Sequence, residues 1–488
     1  MQFKLALASS LISAVLIGCG GDGNSAGSDN TTVVNKPPVA VADFFNVLEG
    51  NSNSLTLNVL ANDIDPESGA LNLVSAVLLT PAQGTVTVSA DKKQLDVIPN
   101  ANFIGDMRLS YVVTDTQGNR ATGQATVTVK ALQSLSSHQD SNCVVTSTGT
   151  VKCWGGNDFG QLGEGVALNV SNRFKVTPVT VANVTGAKQV TMGYNHACAI
   201  NQTGAVSCWG DNNNGQLGDG TQTARLQATS VVGLTTKVTQ LALSYQSSCA
   251  LLENGNIQCW GSNSQGELAI GATTVRSLSP QTITLGANLK AKRLVAGKHH
   301  VCAISQNDSL FCWGANDAGQ LGLNDQVTRY QATQISLAGN VQQLDAGFAH
   351  TCVARANDVY CWGLNNKGQL GNDSTTDSAV PVVVSLTASV VDFALGKEHS
   401  CAVTADNKTY CWGSRQAGQT AQSIDALTID KKPTLVTSLT GKRRVSAGDF
   451  HSCSVEDNSI VKCWGKNDLG QLANGSSDSA TPVTVSLN

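Results

Sequence analysis

Gly193-Tyr194-Asn195-His196-Ala197-Cys198, then Cys208-Trp209-Gly210, then Gly215-Gln216-Leu217-Gly218: this stretch decides the fold of the 488-residue chain, because the chain writes it seven times. Every tryptophan stands in Cys-Trp-Gly, at Trp154, Trp209, Trp260, Trp313, Trp362, Trp412 and Trp464, with successive copies 49 to 55 residues apart. Gly-Gln-Leu-Gly follows intact from Gly160, Gly215, Gly319 and Gly368. It decays to Gly266-Glu267-Leu268-Ala269, Gly418-Gln419-Thr420-Ala421 and Gly470-Gln471-Leu472-Ala473. Gly-x-x-His-x-Cys precedes the tryptophan, clearest from Gly193, Gly297, Gly347, Gly396 and Gly448. A period of about 50 residues is that of a propeller with one four-stranded blade per repeat.

Composition agrees. Charged residues make up 14% of the chain, and 47 residues are glycine. Helical folds draw on Glu, Lys, Ala and Leu with few glycines, so a helical bundle is excluded and an all-β chain is expected. The net charge of −4 gives no long-range attraction to nucleic acid, and none is expected as a partner. Fifteen cysteines point to an oxidising compartment.

Fourteen of those cysteines fall two per repeat: Cys143 with Cys153, Cys198 with Cys208, Cys249 with Cys259, Cys302 with Cys312, Cys352 with Cys361, Cys401 with Cys411, and Cys453 with Cys463. Between Cys198 and Cys208 the loop Gln202-Thr203-Gly204 puts a glycine where a three-residue hairpin needs a left-handed residue. Counting back sets the two cysteines opposite each other in a non-hydrogen-bonded pair, about 4.5 Å apart at Cα and within reach of a disulfide. The fifth repeat is one residue shorter, and a two-residue loop, Ala356-Asn357, restores the register. Seven disulfides are the expected pairing, each contributing about 3 kcal/mol in the chain-entropy picture. Zinc on His-x-Cys plus the second cysteine competes with this reading, although a fourth ligand is not apparent. Mixed or free thiols are the third reading.

The repeat text resembles the regulator-of-chromosome-condensation repeat family over residues 131–488. The resemblance implies a seven-bladed β-propeller, with the repeated Trp and Leu packed between blades and the glycines in tight turns. How the ring closes is left open. The family takes its name from a nuclear nucleotide-exchange factor, and one member of this shape inhibits β-lactamases.

Residues 1–18 read as an export signal, with Lys4 ahead of an apolar run too short to span a bilayer. Leu16-Ile17-Gly18-Cys19 resembles the lipobox of bacterial lipoproteins, which implies cleavage before Cys19 and acylation of that residue. Gly20-Gly21 stands where an Asp would signal inner-membrane retention, so a lipid-anchored envelope protein of the outer membrane is expected. Residues 19–36 read as a flexible tether. Residues 37–130 alternate apolar and polar as β-sandwich strands do. Val59-Leu60-Ala61-Asn62-Asp63-Ile64-Asp65-Pro66 and Tyr111-Val112-Val113-Thr114-Asp115 resemble the bacterial cadherin-like, immunoglobulin-like module. That resemblance implies calcium on Asp63, Asp65 and Asp115; turn chemistry without an ion is the competing and preferred reading.

No catalytic constellation emerges: there is no GxSxG elbow, phosphate loop or HExxH helix, so no enzyme is expected. Two places are free to vary. One is the Gly-x-x-His turn, which carries Tyr194, Tyr245, Lys298, Phe348 and Lys397 after the glycine position and Phe450 one place later. Aromatics and cations of this kind resemble interface hot spots. The other is an arc of Arg173, Arg225, Arg276 and Arg329 after Gly-Gln-Leu-Gly. The expected function is a binding module for a protein or glycan partner, anchored to a lipid bilayer. An inhibitor of an extracytoplasmic enzyme is the runner-up, and a wall-polymer hydrolase the more remote alternative.

Overall fold

The computed structural model describes residues 34–487 except 49–54, 101–104, 131, 133, 287–288, 338, 387, 440–442, 457–458 and 476. The export signal, Cys19 and nearly all of the tether lie outside the described residues. The first unit is two sheets. One orders Asp43–Leu48, Arg120–Lys130, Gly105–Thr114 and Asn72–Leu78; the other orders Leu55–Leu57, Leu95–Pro99 and Gly84–Val88. Leu73, Leu95, Val97, Met107, Leu109 and Val127 fill the space between them.

The three aspartates for which calcium and turn chemistry compete all accept main-chain amides. Asp63 accepts the Val41 amide at 2.7 Å, and Asp65 accepts the Glu67 amide at 2.9 Å. Asp115 accepts the amides of Gln117 and Asn119 at 2.8 and 2.9 Å, and the Asn35 side chain at 2.6 Å. At Asp65 and Asp115 the carboxylate initiates a turn by bonding main-chain N–H groups a few residues on, whereas Asp63 reaches the separate segment at Val41. Among the described residues no three His, Cys, Asp or Glu side chains converge as a cation cage. The contacts of Asp65 and Asp115 are those of the preferred turn reading.

From Ser134 to Thr484 come seven four-stranded antiparallel sheets, each built from four consecutive strands. The second is representative: Ala187–Met192, His196–Asn201, Val206–Gly210 and Arg225–Ser230. The first strand of each blade lies innermost, against its counterparts in the adjoining blades. The first blade, Ser134 to Thr180, and the last, Arg443 to Thr484, are each complete in themselves, so no strand is exchanged to close the ring.

Within each blade the second and third strands form the hairpin that carries the cysteines. All seven pairs face each other in register and are joined as disulfides, with Cα atoms 4.0 to 4.1 Å apart. Cys143 is bonded to Cys153, Cys198 to Cys208, Cys249 to Cys259 and Cys302 to Cys312. Cys352 is bonded to Cys361, Cys401 to Cys411 and Cys453 to Cys463. Zinc and free thiols therefore have no place at these cysteines. The Cα separation is somewhat shorter than the 4.5 Å expected for the facing pair, because the bond draws the two strands together. The hairpin loops explain the register. Gly149, Gly204, Gly255, Asp308, Asn407 and Ser459 all adopt positive φ, and the shorter fifth loop turns on Ala356 at φ 49° between the paired Arg355 and Asp358. Non-reducing peptide mapping of the purified protein is expected to return seven links, each inside one blade; a link between blades would contradict this register.

The last glycine of Gly-Gln-Leu-Gly sits under the next tryptophan. At Gly163, φ is 70° and a Cβ would lie 2.8 Å from the Trp209 ring. In the decayed copies Ala269, Ala421 and Ala473 occupy this place at φ 54°, 56° and 53°. A left-handed conformation costs a non-glycine residue about 1–2 kcal/mol, partly offset by the lower entropy of its unfolded chain. Replacing the three alanines with glycine is expected to stabilise the propeller by about 0.5 kcal/mol per site, read as a higher denaturation midpoint.

Candidate functional site

One linkage, repeated around the ring, positions the turns of the propeller mouth. Each Cys-Trp-Gly indole donates its N–H to the main-chain carbonyl of the Gln or Glu in the Gly-Gln-Leu-Gly turn of the preceding blade. Trp209 reaches Gln161, Trp260 reaches Gln216, Trp313 reaches Glu267, Trp362 reaches Gln320, Trp412 reaches Gln369 and Trp464 reaches Gln419, all at 2.8 to 3.0 Å. The seventh closes the circle: Trp154 in the first blade donates to Gln471 in the last at 3.0 Å. Asn142 and Asp140 reinforce this seam, bonding the Gln471 carbonyl and side chain at 3.0 and 2.9 Å.

The repeated histidines serve the same junction. His196, His300, His350, His399 and His451 point Nε2 across to Ser248, Thr351, Ser400, Ser452 and Asn142 of the next blade, at 2.7 to 2.9 Å. Each of those hydroxyls already donates to the Gln carbonyl that takes the indole. A hydroxyl has one hydrogen, so it must accept from the imidazole, which fixes the neutral Nε2–H tautomer. The bare Nδ1 faces the glycine of Gly-x-x-His. At Gly297 a Cβ would lie 2.3 Å from His300 and 2.2 Å from the Gly347 carbonyl, so only glycine fits. Burial pushes these five imidazoles down to about 3.

Two contributors escape the sequence reading. Asn157, Asn212, Asn263, Asn316, Asn365 and Asn467 stand three places after tryptophan and accept the amide of the turn's leucine at 2.8 to 3.1 Å. The other is the residue between His and Cys. It is Ser248, Thr351, Ser400, Ser452 or Asn142 where the preceding blade carries the histidine. It is Ala197 or Val301 where that blade has Ser141 or Ser247 instead. That pairing of consecutive repeats is visible in the sequence.

With the junctions fixed, the Gly-x-x-His turns gather at one mouth, and the structure brings all six of the residues singled out there into one circuit. Tyr194 and Tyr245 meet edge to face with centroids 4.4 Å apart. Lys298 lies 5.2 Å from the Tyr245 ring and 4.3 Å from the Phe348 ring, and Lys397 lies 5.1 Å from both Phe348 and Phe450. His138 and His299 extend the tyrosine side, and Lys466 extends the Phe450 side. Cation–π contacts of this kind are worth about 0.5–1 kcal/mol each where exposed. Asp449 also faces the mouth, where burial, followed by the Asp140 charge, pushes it up to about 6 against three neighbouring lysines. The arginine arc is different. Arg173, Arg225 and Arg329 are paired with Asp158, Asp219 and Asp325 in their own loops, while Arg276 is exposed on the outermost strand of its blade.

Below the mouth the inner strands surround a cavity of about 260 Å³. Its polar side chains tie neighbouring inner strands together: Arg293 donates to Gln343 at 2.6 Å, Asp345 accepts the Leu395 amide at 3.1 Å, and Asp392 accepts the Val445 amide at 3.0 Å. Burial pushes Asp345 up to about 7 and Asp392 to about 6.

The RCC1-like domain family matches residues 189–488, and the RCC1 repeat matches 139–161. The chain belongs to the RCC1-like family. Residues 35–130 match the bacterial Ig domain. Among curated proteins the chain is similar to the ultraviolet-B receptor UVR8 of Arabidopsis thaliana, 29% identical over 67% of this chain and 63% of the relative. It is also similar to the probable E3 ubiquitin-protein ligase HERC6 of Homo sapiens, 30% identical over 47% of this chain and 23% of that protein. The chain thus spans less than two thirds of either relative. Among solved structures the RCC1 protein Prp20p of Saccharomyces cerevisiae superposes with a TM-score of 0.61 at 21% identity, covering 72% of this chain and 86% of that one. That likeness shows the shared propeller fold of the RCC1-like region.

The buried groups set a pH profile. The five histidines titrate near 3 when folded, against 6.5 ordinarily, so the stability they confer is complete above about pH 6.5 and is lost as pH falls. Asp345, Asp392 and Asp449 have the opposite sign: raised when folded from 3.8, they cost stability progressively as pH rises from about 3.8 to 6 or 7, and the cost is complete above that. Stability is expected to peak near neutrality and fall between about pH 6.5 and 4, where the downward shifts of the buried histidines outweigh the upward shifts of the buried acids. Denaturant midpoints across that range check this, and His350→Asn is expected to lower the neutral midpoint while flattening the acid slope.

Proposed function

We propose that this chain is an envelope-anchored binding protein whose RCC1-like propeller recognises a protein or glycan partner through the mouth formed by the Gly-x-x-His turns. The circuit of Tyr194, Tyr245, Lys298, Phe348, Lys397 and Phe450 carries the proposal. It gathers four aromatic rings and two cations on a single rim, and tyrosine is among the residue types that dominate interface energetics. The relatives support recognition over catalysis: UVR8 is named a receptor, and Prp20p is described by its binding to Gsp1p and histones. The ligase activity named for HERC6 is not transferred by a match to 23% of that protein. In this reading the acyl anchor at Cys19, the tether and the Ig-like domain hold the propeller away from the membrane surface. Inhibition of an extracytoplasmic enzyme is one form such recognition can take.

The mouth is tested on a captured partner with Tyr194, Tyr245 and Phe348 changed together to Ala. The expected outcome is a loss of binding of about 2 kcal/mol or more with the fold preserved. Unchanged affinity in a folded variant removes this face. Replacing Cys19 with Ser is expected to move the protein from the membrane fraction to the soluble fraction or to stall its processing. Wild-type fractionation and processing would overturn the anchor.

A further inference from the structure

The mouth's charges define what a partner must bring. Lys298 and Lys397 flank Phe348, their ammonium nitrogens 4.3 and 5.1 Å from its centroid, and both side chains are half-buried. Burial is the largest influence holding Lys298 below the ordinary lysine range; Lys397 adds to it, while Asp449 and Asp317 oppose it. Among the described residues neither lysine has a carboxylate oxygen within 4 Å. Their neighbour Lys466, by contrast, is held by Asp468 at 3.0 Å. The mouth also holds acids: Asp449 neighbours Lys298, Lys397 and Lys466, Asp140 accepts from Gln471 at 2.9 Å, Glu267 pairs with His299 at 3.0 Å, and one Glu398 carboxylate oxygen is buried without a hydrogen-bond partner among the described residues. Two partly desolvated ammonium groups converge on one ring, and neither is in contact with a carboxylate, which makes a site for one.

We propose that the partner inserts an acidic peptide segment into this mouth and seats a carboxylate between Lys298 and Lys397; this rests on the mouth being the binding face. The same geometry disfavours a sugar. A pyranose stacks on an open aromatic face, and three of these rings already carry a lysine ammonium group beside them. Phe348 lies beneath two ammonium groups, Phe450 beside Lys397 and Lys466, and Tyr245 beside Lys298 and against Tyr194. Lysine, a mobile point charge, suits a single carboxylate at the end of a side chain.

Calorimetry on the full chain at low salt tests this with three probes: an alternating Glu-Gly peptide, a Gln-Gly peptide of equal length, and an oligogalacturonate of equal charge. The Glu-Gly peptide is expected to bind, the Gln-Gly peptide not to bind, and affinity to fall as salt rises. Lys298→Gln with Lys397→Gln is expected to weaken binding at least about tenfold, whereas the paired Lys→Arg changes keep it within about threefold. Lys237→Gln, outside the mouth, should leave binding unchanged. The proposal is overturned if the Glu-Gly peptide fails to bind or binds no better than its Gln counterpart. Binding confined to oligogalacturonate overturns it too, as does unaltered affinity in a Gln pair that melts like wild type. Its failure is separable from failure of the mouth itself. A captured partner that responds to the triple Ala change but ignores the Gln pair keeps the mouth and discards the acidic segment.

Discussion

The indole N–H of each Cys-Trp-Gly tryptophan has no water to turn to: all seven side chains are fully buried. A buried donor without an acceptor costs about 1–3 kcal/mol, so each indole needs a carbonyl delivered to it. The preceding blade delivers one, and the rest of the repeat exists to hold that carbonyl in place. The asparagine three residues after tryptophan clamps the turn through the leucine amide, and the leucine itself is buried against the next blade. Serine, threonine or asparagine then takes the carbonyl's second lone pair and is itself oriented by a histidine. Motifs separated by tens of residues in sequence are thus one device at one junction.

The stabilising roles divide cleanly between directions. Disulfides lock each blade internally, tryptophan and histidine lock blade to blade, and the seam between last and first blade uses the same bonds as the other junctions. The sixth repeat shows how much the device tolerates. There Arg415 replaces the clamping asparagine and Thr420 replaces the leucine. Both bond Asp430, a buried carboxylate on a lengthened outer strand. A buried acid is stable only when its lone pairs are met, and here an ion pair and a hydroxyl meet them together.

Much of this was legible in the sequence. The 50-residue period specified the number of blades, and the one-residue deletion in the fifth hairpin, matched by a tighter loop at Ala356-Asn357, specified the register that joins Cys352 to Cys361. The mouth residues were legible too, because a fixed repeat position in a ring is a fixed place in space. The choice between calcium and turn chemistry at Asp63, Asp65 and Asp115 was not legible, since the Asp residues that ligate an ion also accept main-chain amides, as these do from Val41, Glu67 and Gln117. Ring closure was illegible for a different reason. It depends on which blade Trp154 faces, and sequence distance hides the neighbour Gln471.

Why the mouth is free to differ follows from which atoms the frame uses there. The residue after the glycine contributes its main chain: Tyr194 donates its amide to Ser244, Tyr245 to Lys298, Lys298 to Gly347, Phe348 to Gly396, Lys397 to Asp449 and Asp449 to Gln139. These bonds lace adjacent turns together and are indifferent to the side chain carried. The positions on either side are not indifferent, since glycine must admit an imidazole and histidine must reach the next blade. One position per blade is therefore rigid in backbone and unconstrained in side chain. A ring of such positions can present Gln139, Tyr194, Tyr245, Lys298, Phe348, Lys397 and Asp449 in a fixed arrangement without loss of stability. Preorganised side chains forfeit less entropy when a partner binds, which is what a recognition surface requires.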